Sequence, residues 1–287
     1  MDFSRKYPEE IRTNRKNKKT VVTTWLILTL ILLGLIVAFY FQFIHKNIIS
    51  VVTIEGLITS EKASNITKVL DKLEKDDTVK AVILKINSPG GEANAVEEIY
   101  FKLLSVKSKK PVVVSIDSSA TSGAYFISVP SDYIFAESSS EVGGVGVVTE
   151  LPEHIERPDL ITSGPFKLFR STENIQRNVE LLRRMFIETI RVNRQDKLKI
   201  DATDLSSAEV YIGIESKELG LIDEVGGLED AILKSSELAS IRWYEVNYVY
   251  PSEKEESPLK VESSEISSNS TSVPSFYYVY VNLEERK

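Results

Sequence analysis

The sequence predicts an α/β domain built on a mostly parallel sheet. Short runs rich in β-branched residues alternate with segments whose apolar residues recur at helical spacing, and the strand-like runs end in turns that contain glycine or serine. Strands separated by helices of this length imply βαβ crossovers, which pair strands in parallel. Because functional loops in such sheets lie at the C-terminal ends of strands, we expect the chemistry of this chain in those turns.

The first half of the pattern contains five strand-like runs and two helical patterns. Ser60 is expected to cap the first helix, in which apolar residues recur from Ile66 to Leu73, and the second helical pattern extends from Val96 to Leu104. A short apolar helical segment after the third run is expected to stop at Pro130. The strand-like runs are at residues 48–54, 79–86, 112–116, 133–136 and 145–148.

The second half is predicted to be mainly helical. A strand-like start at residues 160–167 passes into a turn, and a long helical pattern follows at 173–194. Ser206 and Glu209 form a capping-box pattern for a helix that continues to Leu219, and another helix is expected at 228–238. The last apolar stretch, residues 276–281, is β-prone and is expected either to add an edge strand or to pack on a neighbouring subunit.

Composition divides the chain into four segments. Residues 1–20 form a basic arm with seven Lys or Arg against three acidic residues, and residues 21–44 carry no charge. As a helix, 24 residues would be about 36 Å long, which exceeds a hydrocarbon core of about 30 Å, so we expect a transmembrane helix. A globular domain is expected at 47–240, followed by a C-terminal extension at 241–287 whose Ser/Glu-rich part, 251–275, is a solvated linker.

The basic arm also predicts an orientation. Positive charge beside a membrane span favours the cytoplasmic side, so we expect a single-pass protein of the cell membrane with a cytoplasmic N-terminus and an extracytoplasmic domain. The alternative is a cleaved signal peptide, but the apolar region of a signal peptide is only about 7–15 residues long. A retained anchor is therefore the favoured interpretation.

Composition excludes several kinds of site. The chain has no cysteine, so disulfides, thiolate metal sites and cysteine nucleophiles are ruled out. Its two histidines, His45 and His154, are too few for a histidine-rich metal site, and we expect neither metal nor cofactor. The formal net charge is −7 and no glycine-rich phosphate-binding motif with its lysine is present, so we expect no nucleic acid and no ATPase partner.

The serine-rich turn at residues 118–127 is the leading candidate for chemistry. A serine between a strand-like run and a helix start can act as a nucleophile, because free backbone N–H groups of the helix can receive an oxyanion. The alternative is that these serines only cap a buried helix. A Ser-His-Asp triad would have to use His154, which lies in a polar loop. A lysine or a carboxylate is therefore the favoured general base for a serine nucleophile.

Five short motifs follow one another along the chain. They are N-S-P-G-G at 87–91, A-T-S-G-A-Y-F-I at 120–127, V-G-G-V-G-V at 142–147, S-G-P-F-K at 163–167 and G-L-I-D-E-V-G-G at 220–227. In this order they resemble the signature of the signal peptide peptidase A family, which comprises membrane-anchored serine peptidases with a ClpP/crotonase-like fold. The resemblance covers about residues 50–240 and implies that the domain expected at 47–240 is a ClpP/crotonase-like peptidase domain.

The resemblance implies a Ser-Lys dyad. Ser122 matches the nucleophile of the family's A-S-G-G-Y-type motif, and Lys167 matches its lysine general base. Gly123, with Gly90 or Gly91, matches the backbone donors of the oxyanion hole. A lysine can act as this base only if burial lowers its pKa, and the residues around Lys167 are apolar.

One departure concerns the orientation of the lysine. The family has a serine in its T-G-S-x-G-V motif that helps to orient the base, whereas this chain has Gly144 in that place and Val142 in place of the threonine. If orientation is needed, Thr162, Ser163 or an ordered water must supply it.

The resemblance implies an ATP-independent endopeptidase that cleaves apolar peptides, such as remnant signal peptides, and assembles as a homo-oligomer. One alternative is the related NfeD-type membrane protease, which acts on membrane-scaffold proteins and usually adds several membrane spans in its tail. Another is a catalytically weak scaffold on the same fold, which the glycine at position 144 suggests.

Overall fold

The computed structural model describes residues 21–37, 39, 46–150, 163–164, 171–251 and 276–279 of the 287-residue chain. The chain divides into two units, Met1–Lys46 and Asn47–Lys287. In the first unit, residues 21–37 form helix α1. None of the helices within the described ranges combines the length and the apolar character that a membrane crossing requires. The transmembrane helix expected at 21–44 is therefore not supported, and residues 38 and 40–44 of that segment lie outside the described residues.

The second unit consists of strands and helices in alternation. Its strands are β1 Ile48–Glu55, β2 Val79–Ser88, β3 Gly90–Glu92, β4 Val112–Thr121, β5 Tyr133–Ala136, β6 Glu141–Gly143, β7 Val148–Thr149, β8 Val210–Ile212, β9 Glu224–Val225, β10 Glu245–Val249 and β11 Phe276–Val279. Its helices are α2 Ser60–Lys75, α3 Ala93–Lys107, α4 Gly123–Ser128, α5 Thr172–Arg194, α6 Ala202–Leu205, α7 Gly213–Glu218 and α8 Leu228–Leu238, and a single 3-10 turn follows α5 at Gln195–Lys197.

The predicted parallel sheet is confirmed. Strands pair in the order β10-β1-β2-β4-β5-β9, all in parallel, and β6 pairs with β4 in parallel and with β8 antiparallel. The register places Ser88 beside Ala120. The glycine turn after β2 and the serine turn after β4 therefore lie side by side, as the topology of the sequence predicts.

Both faces of the sheet are covered, which explains why its strands read as continuous apolar runs. On one face, α2, α3 and α4 bury residues such as Leu84, Val96 and Phe126 against the strands. On the other face, α8 packs Ala231 against the opposite side chains of β1, β2 and β4. The Ser122 turn emerges from the centre of this two-sided core, since β4 lies in the middle of the sheet.

Local patterns mispredicted two helix features. The N-cap of α2 is Thr59, whose Oγ1 accepts a hydrogen bond from Lys62 N at 3.3 Å, and Ser60 is the first helical residue. The helix expected from Ser206 to Leu219 is wrong over residues 206–212, because Val210–Ile212 pairs with β6 as strand β8 and the shorter α7 begins only at Gly213. Pairing with the sheet overrides the local capping pattern in this segment.

The strand expected at 145–148 is wrong over residues 145–147, which have no strand structure. They link β6 to β7, whose first residue is Val148. Gly143 and Gly144 have φ values of +115° and +62°, a backbone region that favours glycine and turns the chain between the two strands.

The C-terminal strand, β11, belongs to a second, smaller sheet. β11 confirms the predicted β structure over residues 276–279, but it is the middle strand of a separate sheet ordered β3-β11-β7 and pairs antiparallel with both neighbours. Most of the predicted linker, residues 252–275, lies outside the described residues.

Candidate active site

Ser122 occupies a sharp turn between β4 and α4. Its φ of 52° and ψ of −120° lie in a region that residues other than glycine rarely adopt, at a cost of about 1–3 kcal/mol. A hydrogen bond from Ser122 N to Gly143 O, at 2.7 Å, holds the turn in this conformation. A strained strand-to-helix turn of this kind is how hydrolases of the nucleophile-elbow type present a serine hydroxyl.

The Ser122 hydroxyl is only weakly engaged. Its Oγ donates to Gly146 O over 3.4 Å, a long hydrogen bond, and the residue is 1% exposed. No titratable side chain in the described part of the chain is hydrogen-bonded to this Oγ. A base from a segment beyond the described residues could therefore take the hydroxyl proton without breaking a strong bond.

The start of α4 lies directly beside the Ser122 hydroxyl. Ser122 O accepts the first hydrogen bond of the helix, from Phe126 N at 3.0 Å, so the helix begins at Gly123. The N–H groups of a first helical turn have no acceptor within the helix. Gly123 N–H belongs to this first turn, and the oxyanion role expected of it from the sequence stays a prediction.

Gly90 and Gly91, which follow β2, both lie close to the backbone of Ile58. Gly90 has a φ of +99° and donates its N–H to Ser88 Oγ at 3.1 Å, while its carbonyl accepts from Ile58 N at 2.8 Å. A Cβ at Gly91 would lie 1.9 Å from Ile58 O, so only glycine fits there. The oxyanion role expected of Gly90 or Gly91 stays a prediction, and Gly90 N–H would have to leave Ser88 to fulfil it.

An extended segment of the chain passes beside this turn. β11 pairs with β3, which contains Gly90 and Gly91, on one side and with β7, two residues after Gly146, on the other. It also contacts α3 and α4, the helix that starts after Ser122. The edges of β3 and β7 therefore form a cleft that β11 fills as an antiparallel strand, and this strand contacts the helix that starts after Ser122.

The expected base lies outside the described residues. Lys167, like Thr162 and His154, belongs to a segment of which only Ser163 and Gly164 are described, and Ser163 is exposed. The chain becomes helical again at α5, where the Ser171 side chain accepts a hydrogen bond from Asn174 N at 3.1 Å. The placement of Lys167 relative to Ser122 therefore stays a prediction.

The G-L-I-D-E-V-G-G motif proves to hold helices in place. The Asp223 carboxylate, buried beside β5, binds the Arg194 guanidinium at the end of α5. Burial acts to raise the pKa of Asp223, but hydrogen bonds and charge from Arg194 and Lys197 hold that pKa below its usual value. The sequence could not assign this positioning role, because the partner arginine lies 29 residues away in a helix.

The same segment also secures α4. The Tyr125 hydroxyl donates to Leu221 O at 2.7 Å, and complete burial raises the pKa of that hydroxyl. Arg194 Nε donates to Gly220 O at 3.0 Å. Tyr125 is thus a fixed hydrogen-bond donor that stabilises the helix behind the candidate nucleophile.

Other parts of the described chain offer little for ligands. A cleft of about 550 Å³ lies between the end of α5 and residues 198–202, and Ser122 is not among its lining residues. Within the described ranges, no group of three or more His, Cys, Asp and Glu side chains could hold a metal ion.

Comparisons with known proteins show that this chain is similar to peptidases. Residues 105–157 and 169–242 match the family described as peptidase family S49. The chain is 36% identical over 204 residues to a putative protease of Methanocaldococcus jannaschii, covering 65% of this chain and 66% of that protein. It is 29% identical over 180 residues to a putative signal peptide peptidase SppA of Enterococcus faecium, covering 57% of this chain and 52% of that protein. The chain thus spans less than two thirds of the length of either relative.

A solved structure shares the fold. It is a serine-to-alanine mutant of the 1510-N membrane-bound stomatin-specific protease, with a TM-score of 0.50 and 22% sequence identity. The match covers 72% of this chain and 99% of that one. At this level of identity the likeness concerns the fold alone.

Proposed function

Since the chain belongs to peptidase family S49, we propose that it is a serine endopeptidase in which Ser122 is the nucleophile and Lys167 the general base. The observation that carries this proposal is the strained turn at Ser122. The helix that follows this turn contacts β11, the extended strand in the cleft between β3 and β7. A hydroxyl at that point can meet the carbonyl carbon of a peptide lying in the cleft.

The proposed reaction has two steps. Lys167, as a neutral amine, takes the proton from Ser122 Oγ while the oxygen attacks the scissile carbonyl, and the resulting ammonium protonates the leaving amine. Water then attacks the acyl-enzyme, with Lys167 receiving the proton of the water and returning a proton to Ser122. Gly123 N–H and a backbone N–H of Gly90 or Gly91 would stabilise the oxyanion in both steps.

The cleft suggests the substrate class. A peptide that replaces β11 would pair antiparallel with β3 and β7 through its main chain, a mode that requires an extended chain but no particular side chain. We propose apolar peptides, such as remnant signal peptides, as the natural substrates, in line with the name of the E. faecium relative.

A fluorophosphonate probe tests the nucleophile directly. We expect the probe to label the full chain at Ser122, and we expect Ser122→Ala to abolish both labelling and peptide cleavage. Ser118→Ala, which alters an exposed serine of the same turn, is the matched control and should label normally. Labelling that survives in Ser122→Ala would refute the assignment.

The base is tested in the same assay. Lys167→Ala should slow labelling by at least ~100-fold, because a positioned base contributes about 10²–10⁴-fold. Lys199→Ala, which removes an exposed lysine beyond α5, should leave the rate unchanged. Full activity of the Lys167→Ala protein would exclude the dyad.

Two alternatives stay open to experiment. A catalytically weak scaffold is suggested by Gly144, and it would bind extended peptides without reacting with the probe. An NfeD-type protease would share the dyad but prefer membrane-scaffold proteins to signal peptides. Cleavage assays with both kinds of substrate separate these functions.

We also propose that the domain is anchored at the cell membrane and faces outward. The supporting feature is the uncharged stretch 21–44 behind a basic arm. Protease added to intact cells should digest the domain, and a protected domain would overturn this orientation.

Self-association is a further part of the proposal. Three aromatic side chains on or beside the edge strand β10 are exposed, with Trp243 at 83% and Tyr248 and Tyr250 at 49% and 68%. An open strand edge with exposed aromatic residues favours contact between copies of a chain. Light scattering should give a mass above that of one 32.3 kDa chain, and Trp243→Glu should lower it.

A further inference from the structure

Trp243 is the most exposed of the large apolar side chains in the described part of the chain, at 83%. Tryptophan is enriched at interfaces, because its ring prefers an apolar phase while its N–H finds a polar partner. Arg242, the residue before it, is exposed as well. An indole ring and a guanidinium thus stand side by side on the surface of the domain, in the short segment that leads into β10.

Hydrogen bonds hold the backbone of Trp243 beside Asn47. Trp243 O accepts from Asn47 Nδ2 at 3.0 Å, and Glu245 N donates to Asn47 O at 2.9 Å. Asn47 is the first residue of the second unit, and β1 starts at the next residue, where Ile48 pairs with Glu245. Trp243 is therefore fixed next to the point where the chain enters the domain.

The length of the chain limits the distance between this entry point and the uncharged stretch 21–44. The stretch ends at Ile44, three residues before Asn47. Three residues span at most about 11 Å even when they are fully extended. If residues 21–44 lie in the bilayer, as proposed above, Asn47 and the neighbouring Trp243 are within reach of the membrane surface, whatever conformation the connection adopts.

We propose that Trp243 and Arg242 form a membrane-docking surface that binds the headgroup region of a phospholipid bilayer. The indole ring enters the boundary between headgroups and acyl chains, where tryptophan is enriched, and the guanidinium binds lipid phosphates. This docking rests on the anchoring part of the proposed function, because the anchor brings the domain to the bilayer. It adds a second contact with the lipid, made by the folded domain itself.

Docking through this surface determines which edge of the main sheet faces the bilayer. Trp243 precedes the N-terminal end of β10, whereas Ser122 follows the C-terminal end of β4 in the same parallel sheet. β1 alone, with its eight residues, is about 26 Å long at ~3.3 Å per residue. Ser122 thus lies at the edge of the sheet that points away from the lipid, and peptides reach it from the aqueous side.

Tryptophan fluorescence tests this docking in the full chain. The sequence contains two tryptophans, so Trp243 is the only one left in a Trp25→Phe chain. In phosphatidylcholine vesicles we expect its emission to move to shorter wavelength and to lose most of its intensity when the lipids are brominated close to the headgroups. Arg242→Glu, which sets a carboxylate against the lipid phosphates, should weaken this quenching. Emission that stays unquenched at the wavelength of an exposed tryptophan overturns the docking surface.

A tryptophan at the other end of β10 is the matched control. Tyr250 follows this strand of five residues, about 17 Å long, and is exposed at 68%. A chain with Trp25→Phe, Trp243→Phe and Tyr250→Trp has its only tryptophan there, and that tryptophan should stay unquenched. Equal quenching at positions 243 and 250 would show that lipid contact is not specific to Trp243 and would overturn the assignment.

The outcomes separate docking from the other proposals. Trp243 emission that moves to shorter wavelength without quenching indicates contact between copies of the chain and overturns docking. In a Trp243→Phe chain, Trp25 is the only tryptophan, and its failure to be quenched by lipids brominated deep in the acyl chains overturns the anchor. Fluorophosphonate labelling of Ser122 in the same samples tests the peptidase independently. A chain that labels normally while Trp243 remains in water therefore loses the docking surface alone.

Discussion

Arg194 and Asp223 form a bidentate ion pair in the interior of the domain. Arg194 Nη1 donates to Asp223 Oδ2 at 2.9 Å and Nη2 donates to Oδ1 at 3.2 Å, and the two side chains are 2% and 6% exposed. The pair joins the end of α5 to the segment that also receives the Tyr125 hydroxyl. The pair thus connects α5, which follows the Lys167 segment, with α4, the helix that begins just after Ser122.

Removing one partner of this pair should destabilise the domain strongly. Asp223→Asn leaves the Arg194 charge buried without its carboxylate, and we expect the free energy of unfolding to fall by about 3–5 kcal/mol. Urea denaturation measures the change. Glu188→Gln, which breaks an exposed pair with Arg191 at 3.7 Å, is the control and should cost under about 1 kcal/mol. Equal losses in the two variants would contradict the structural role of Asp223.

The ion pair should also give a defined pH dependence. Because the pKa of Asp223 is lowered in the folded state, its contribution is fully present above the ordinary value of 3.8 and is lost as pH falls through the folded value. The stability difference between wild type and Asp223→Asn should therefore be constant from pH 5 to 7 and shrink below about pH 4. Taking the difference cancels the other carboxylates, which both chains share. A stability difference that grew as the pH fell would contradict a lowered pKa of Asp223 in the folded state.

A methyl group at Gly91 should disrupt the wall of the cleft. The Cβ of Gly91→Ala would meet the Ile58 carbonyl at 1.9 Å, and a backbone atom cannot move away cheaply. We expect a loss of about 1–3 kcal/mol in the free energy of unfolding, together with loss of peptide cleavage. Gly227→Ala, at a glycine with no heavy atom within 4 Å of the added carbon, should cost under about 1 kcal/mol. A Gly91→Ala protein as stable and active as wild type would refute this close approach.

Removing the C-terminal strand should open the cleft to substrate. A chain that ends after Pro251 lacks β11, so the edges of β3 and β7 are left unpaired. If substrate and β11 compete for these edges, the KM for an extended peptide should fall on the order of tenfold. A chain that ends after Val279 keeps β11 and should behave like wild type. An unchanged KM in the shorter chain would show that substrate does not bind in the place of β11.

The sequence predicts the sheet well because its main strands are continuous runs of apolar, β-branched residues. Buried parallel strands leave continuous β-branched runs, and residues 133–136 and 228–238 have the predicted bounds in the structure. Segments whose structure depends on distant partners are less predictable. Val210–Ile212 is a strand only because β6 lies beside it.

Within the candidate site, sequence reasoning could name Ser122 but could not describe its conformation. The positive φ of Ser122 results from its bond to Gly143, which is brought close only when β6 joins β4. The closeness of Thr121 and Gly144 is likewise a property of the fold and not of local spacing. No local pattern indicates the role of Asp223, because its arginine partner lies 29 residues away along the chain.

The pairing of β1 with β10 has a consequence for the synthesis of the chain. β1, near the start of the domain, pairs with β2 on one side, but its other edge stays open until residues 245–249 have been made. Contacts between such distant segments slow folding, and an uncovered strand edge invites pairing with other chains. While residues 89–244 are being made, one edge of β1 is therefore open to other chains, and the last strand of the main sheet covers it.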